Sequence, residues 1–197
     1  MSRTREVVVR HAAEALRASA EPVTLVAIAT AAGVSRTTLY RHFPSVAALL
    51  DAVAADLLSR ASFDRLLAAV DDPDPLSALA QVTTLGCGIW EIDPPLVRNL
   101  IGLARSQADA TSVVDQLEAG RAQIMGRLVD RLDERGTLAP GLSRRDAVDL
   151  LLAATNFAGW DQLVTARRRP PRAATRLVVR LALGAVTQPT PSPRGRR

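Results

Sequence analysis

The polar groups with the clearest chemical use lie close together at Ser35, Arg36, Thr37, Thr38, Tyr40, Arg41 and His42, with Thr24 a little upstream. Guanidinium forks, hydroxyls, a phenol and an imidazole on one short segment suit hydrogen bonding to base edges and phosphate oxygens of a DNA duplex. Arg36 and Thr37 open the segment and are the expected base readers. A bidentate Arg36 on guanine O6 and N7 contributes about 1 to 3 kcal/mol of discrimination, and the Thr37 methyl can meet a thymine methyl. Thr24, Thr38 and His42 are expected on phosphate, and Arg41 acts as a general attraction. Simpler roles compete with each: a solvated charge or phosphate contact for Arg36, local backbone capping for Thr24 and Thr38, a neutral helix-end histidine for His42.

Bond-breaking chemistry finds much less to work with. The only histidines are His11 and His42, so residues 43–197 offer none to pair with a nucleophile, carboxylate or metal. Cys87 is the single cysteine, which excludes an intrachain disulfide and a cysteine-based zinc site. Gly86-Cys87-Gly88 is too short for a phosphate loop, and the chain contains no lysine to complete one. No catalytic residue, metal or cofactor is therefore expected. The apolar stretches are interrupted well short of a membrane span, and residues 1–17 lack a signal-peptide block, so a cytoplasmic protein without membrane contact is the expectation.

Those polar residues need helices to hold them, and apolar spacing is helical nearly throughout, which predicts an all-α fold. With 197 residues and 48% hydrophobic composition the chain can build a sizeable core. The first helix is expected over about Arg3 to Ser19, with Val7, Val8, Ala12, Ala15 and Leu16 inward, Arg5 among the outer residues, and Glu21-Pro22 as the stop. Short helices near Thr24 to Ala32 and Arg36 to His42 follow. A fourth starts after Ser45 and runs toward Val70. Asp74-Pro75 and Asp93-Pro94-Pro95 each read as a cap followed by a proline-opened helix. A long helix over about Thr111 to Arg135 ends at Gly136, another runs from Ser143, paired with Asp146, to about Ala166, and the last covers Arg172 to Val186.

Thr24 to Phe43 reads as a helix-turn-helix. Ala29 gives the crossing helices room, Gly33 supplies the positive φ of the turn, and Ile28, Val34 and Leu39 fix the crossing angle. Ser35 caps the second helix, whose first turn is then free to face DNA. A structural helical hairpin would satisfy the same pattern.

The segment Thr24 to Leu50, and above all Leu39-Tyr40-Arg41-His42-Phe43-Pro44-Ser45, resembles the DNA-binding head of the TetR family of bacterial transcription regulators. The resemblance implies a three-helix helix-turn-helix domain over residues 1–60, followed by a helical ligand-binding and dimerisation domain over 61–186. It also implies that Tyr40 touches the DNA backbone or a base edge. Where similar proteins usually carry Lys-Glu after the Pro-Ser turn, this chain has Val46-Ala47, which removes one phosphate contact. The aromatic usually found near the end of the first helix is also missing.

Beyond the head, the segment from Ser143 to Ala166 shows two apolar stripes: Val148, Leu151, Leu152, Thr155, Gly159 and Leu163 in one, Leu150, Ala154, Phe157 and Val164 in the other. With Leu177, Val178, Leu181 and Ala185 of the last helix they form an expected twofold interface, so that a homodimer reads a near-palindromic operator of double-stranded DNA. Completing the monomer core is the competing use. A TetR-like body further implies an unknown small-molecule effector, for which Phe63, Trp90, Glu91, Met125, Asn156 and Trp160 are the candidate contacts, although residues of these types more often serve the core or its rim than a ligand. The expected function is a dimeric transcriptional regulator, a repressor released by its effector. A helical enzyme or an interaction module with an incidental helix-turn-helix-like hairpin is the alternative.

Charge is distributed unevenly. All 25 basic residues are arginine; residues 166–197 hold nine of them and no acid, whereas residues 61–165 carry nine arginines against fifteen acids. Residues 187–197 read as a disordered, arginine-rich tail that could serve an interaction module binding acidic partners.

Overall fold

The computed structural model describes residues 3–18, 24–61, 63–106 and 111–187. The stop at Glu21-Pro22 and nearly all of the arginine-rich tail lie outside these residues. The chain is all-α: α1 (Arg3–Ala18), α2 (Leu25–Ala31), α3 (Arg36–His42), α4 (Val46–Arg60), α5 (Phe63–Ala69), α6 (Pro75–Ile92), α7 (Pro94–Ser106), α8 (Thr111–Glu134), α9 (Arg144–Ala154), α10 (Phe157–Thr165) and α11 (Pro171–Val186). Apart from an isolated bridge between Leu138 and Thr187, no β-structure occurs among the described residues.

The helices fall into two compact units, one of Met1–Phe63 with Gly88–Gly120, the other of Asp64–Cys87 with Arg121–Arg197. In the first, α1 packs on α2, α4 and α7, and the shared core runs from Val8, Ala12 and Leu16 through Ile28, Leu39 and Phe43 to Val53, Leu96 and Leu100. The inner face of α1 is rotated from expectation. Val9 and Ala13 are buried while Val7 and Ala15 are only half-buried, because contact with several helices widens the apolar face. Arg5, expected outside, lays its guanidinium over the Phe43 ring at 5.0 Å from the centroid.

Proline-opened helix starts appear as expected. Asp74 accepts from the Leu76 and Ser77 amides, and Asp93 from the Leu96 amide at 3.2 Å. Asp93 also takes Arg17 Nε on its other oxygen at 2.5 Å, and Asn99 Nδ2 donates to the Leu16 carbonyl at 2.6 Å. The end of α1 is thus fastened to the start of α7, although more than seventy residues separate Arg17 from Asp93.

Two long helices of the sequence reading are broken in the structure. The one expected from Ser45 to Val70 stops at Arg60, where Ala61 turns to an extended ψ of 153°, and a separate α5 begins at Phe63. The one expected from Ser143 to Ala166 breaks at Thr155-Asn156. Thr155 closes α9 with its hydroxyl on the Leu151 carbonyl, and Asn156 caps α10 by accepting from the Gly159 amide at 2.8 Å. Short polar side chains that bond the nearby backbone compete with helix continuation. The paired stripes therefore belong to two helices, with Ala147 and Leu151 buried on α9 and Phe157 and Trp160 on α10, while Leu150 is exposed.

In the second unit α9 and α10 both pack on α11. Arg131 on α8 donates to the carbonyls of Val70 and Asp72, and Arg135 to that of Pro73, binding the turn before α6 to α8. Gly136 takes the left-handed φ of 64° expected after α8, with Thr137 N–H on the Leu132 carbonyl.

Candidate nucleic-acid interface

The turn between α2 and α3 is built by backbone hydrogen bonds around one glycine. Gly33 has φ of 64°, its N–H donates to the Thr30 carbonyl at 3.2 Å, and Val34 N–H reaches back to the Ala29 carbonyl at 3.0 Å. This pair of bonds is the Schellman arrangement, which needs a left-handed residue following the helix. Ala29 is buried where the two helices meet, and Val34 packs against the same core.

Ser35 starts α3 with extended φ and ψ, and its Oγ accepts from the Thr38 amide at 3.1 Å. Leu39 and Phe43 anchor the helix, at 1% and 0% exposure. Arg36, Thr37, Tyr40 and Arg41 are all exposed, Tyr40 at 49%; at 3.6 residues per turn Thr37 and Arg41 lie opposite those anchors, Tyr40 to one side, and Arg36 above them at the open N-terminal end of the helix. His42 is half-buried at the last turn. A 67° bend at Phe43 to Ser45 leads into α4, whose first amides are capped by Ser45 accepting from Ala48.

The threonines take on local work. Thr24 Oγ1 accepts from the Ala27 amide as the cap of α2, and Thr38 Oγ1 lies 2.9 Å from Ser35 Oγ. Both hydroxyls sit at helix N-termini, where orphan amides face outward and favour anions. Val46 and Ala47, in place of the cation and acid of similar proteins, pack half-buried against the core of the first unit.

Sequence reasoning missed the supports behind this face. Arg5 over Phe43, and Arg17 with Asn99 at the start of α7, hold α1 and therefore the helices stacked on it. The signal available for the second was an aspartate before paired prolines, though nothing in the spacing named its partner.

The six effector candidates divide equally between the two units. Phe63 and Trp90 are half-buried and Glu91 is exposed; these three fall in the first unit. Met125, Asn156 and Trp160 fall in the second. Met125 is buried, Asn156 is spent on its cap, and Trp160 is fully buried beside Phe157 with Nε1 donating to Thr175 Oγ1 at 3.2 Å. Among the described residues no group of three or more His, Cys, Asp or Glu side chains is placed to hold a metal ion, and no single helix is long and apolar enough to cross a membrane.

Residues 11–53 match the family of bacterial regulatory proteins, tetR family. The nucleoid occlusion factor SlmA of Cronobacter sakazakii is 28% identical over 130 residues, which are 61% of this chain; the match spans less than two thirds of that relative's length, 65%. Among solved structures, NalD of Pseudomonas aeruginosa, the secondary repressor of the MexAB-OprM multidrug efflux pump, superposes with a TM-score of 0.71 at 23% identity, covering 94% of this chain and 96% of that one. The fatty acid degradation regulator FadR of Bacillus halodurans gives 0.75 at 16% identity, over 93% and 96%. At such identities the likeness to the solved structures is one of fold: an N-terminal helix-turn-helix and a helical remainder.

Proposed function

We propose, from the match of residues 11–53 to the family of bacterial regulatory proteins, tetR family, that the chain is a homodimeric, sequence-specific DNA-binding regulator of transcription. It is a repressor released by a small-molecule effector, works in the cytoplasm and has no enzymatic activity. Residues 1–60 form the DNA-binding head and 61–186 the regulatory body.

One observation carries this reading: α3 sinks Leu39 and Phe43 into the core while Arg36, Thr37, Tyr40 and Arg41 stay exposed on a capped, glycine-pivoted helix. Arg36 and Thr37 enter the major groove as base readers, Thr24, Thr38 and His42 hold flanking phosphates, Tyr40 meets the DNA backbone or a base edge, Arg41 adds general attraction, and Ser35 caps the helix at the DNA-facing turn. Two heads related by a dyad read two half-sites of a near-palindrome. The exposed Leu181, with Leu177 one turn before it on α11, supports a dimer contact there. An effector that prefers one of two separations of the heads would release the operator. Of its candidate contacts, Phe63, Trp90 and Glu91 retain accessible surface.

The test is an anisotropy titration of the promoter region beside the chain's own coding sequence, with the full chain and with a truncation ending before Thr187. Saturation at two chains per site, retained by the truncation and competed poorly by random duplex, is the expected result. Binding that vanishes with the tail would instead indicate an interaction module.

A further inference from the structure

From Arg121 to Arg180 the arginines of the second unit fall into two groups. On α8, on α9 and just after α8, Arg121, Arg127, Arg131, Arg135, Arg144 and Arg145 each meet a carbonyl or carboxylate oxygen. Arg167, Arg168, Arg169, Arg172, Arg176 and Arg180 do not: all six are exposed, and none of their guanidinium groups has a hydrogen-bond or ion-pair partner among the described residues. No acid occurs anywhere from Gln162 to Arg197 to balance them. Like charges four residues apart on a helix repel, so this row opposes the folding of α11.

Backbone geometry displays the first three. Arg167 N–H donates to the Gln162 carbonyl and Arg169 N–H to that of Leu163, both at 3.0 Å. Between them Arg168 is held at φ of 50°, the only non-glycine residue with positive φ among the described residues. Side chains disfavour that region, and such outliers persist only where the surroundings enforce them. Arg172, Arg176 and Arg180 continue the row along α11 on the side away from its buried residues Ala174, Val178, Ala182 and Val186.

We propose that this arginine ridge is a second nucleic-acid surface, one that grips the phosphate backbone without reading sequence. Four residues of helix rise about 6 Å, close to two axial phosphate steps of about 3.4 Å each on one DNA strand. A row at that interval, turning only about 40° round the helix at each step, suits a periodic polyanion, and guanidinium forks suit phosphate oxygens. A lipid surface fits less well. An interfacial helix inserts an apolar face opposite its cationic one, and on α11 that opposite face is already buried within its own unit. Leu177 and Leu181 lie roughly 100° round the helix from Arg176 and Arg180 respectively, and Arg180 is three residues from Leu177, so the row runs beside the proposed dimer strip rather than within it. The ridge does not depend on α3 reading an operator.

The experiment titrates the full-length chain with a random-sequence duplex over a series of salt concentrations. Arg172→Gln/Arg176→Gln/Arg180→Gln is expected to flatten the slope of log K against log salt by about 2.7, three contacts at about 0.9 each. Arg168→Asn, which keeps a residue tolerant of positive φ, should flatten it by about 0.9 without lowering the melting temperature. A control with the same charge change, Arg65→Gln/Arg105→Gln/Arg145→Gln, should leave the slope nearly intact. An unchanged slope in the ridge variants, or an equal loss in the control, overturns the proposal. So does a ridge variant that loses binding to phosphatidylserine vesicles while its DNA slope stays put. Repeating the series with Arg36→Ala separates the two readings, since failure of operator binding there touches only α3.

Discussion

Single side chains on α3 divide by what they can reach. Arg36 is exposed in the first turn and has a fork to aim at a base, whereas His42 is half-buried at the last turn, six residues further along. Arg36→Ala should therefore lose about 1 to 3 kcal/mol on the preferred operator and relax selection at one position per half-site. His42→Ala should weaken all duplexes alike; a uniform loss for both variants in a sequence-randomised binding assay would show that Arg36 holds phosphate instead. Away from the DNA face, charge governs a different pair. Arg144 donates to Asp130 at 2.5 Å and holds its carboxyl below the usual carboxylate range. A depressed folded-state pKa means that the carboxylate's contribution is complete above the unfolded value, about 3.9, and disappears as pH falls through the folded value. Asp130→Asn should lower the melting temperature at pH 7 by a small amount, and the gap to the parent should close in acid; a gap constant with pH would mean that packing, not ionisation, is at work.

At the scale of elements, one turn and one break decide the architecture. Gly33 meets no atom within 4 Å of where a Cβ would stand, so replacement there creates no clash and the whole penalty is conformational. Gly33→Ala should cost about 1 to 2 kcal/mol and Gly33→Asn less, because asparagine tolerates the left-handed region. Equal costs in chemical denaturation would point to a packing role. At the α9–α10 break, Asn156→Ala removes the cap and should cost about 1 kcal/mol. These two positions also show what the sequence made legible. The glycine turn could be read because only glycine comfortably supplies that φ, and the caps at Ser35, Asp74, Asp93 and Ser143 because their side chains act on amides two or three residues away. The break at Asn156 was hidden because apolar residues continue on both sides and periodicity does not register a bend of one or two residues. Partners distant in sequence were hidden for a related reason: nothing local to Arg5 names Phe43, and nothing local to Arg17 names Asp93. Two of the proposed effector contacts, selected as polar or aromatic residues on apolar helices, also have a structural use. Asn156 and Trp160 prove to be engaged in a cap and a core.

For the whole molecule, the proposed recognition of an operator calls for more than one head, because a single short helix reads only a few base pairs. Leu181 is 57% exposed on α11, more than any other large apolar side chain among the described residues, while the same helix buries Val178 and Ala182. Burying such a side chain against its symmetry mate removes apolar area from water at roughly 25 cal/mol per Å² and leaves each subunit's own core untouched. Leu181→Glu should then yield a monomer by light scattering with an unchanged far-UV spectrum, since the glutamate replaces a residue already facing outward. Dimerisation gives the second head its gain in effective concentration, so the monomeric variant should bind a palindromic operator on the order of 10²-fold or more weakly. Binding to a single half-site should change little. If the variant stays dimeric, the twofold contact lies on another face of the body. If it is monomeric yet binds the palindrome as tightly as the parent, the heads act singly and the symmetric reading of the operator fails.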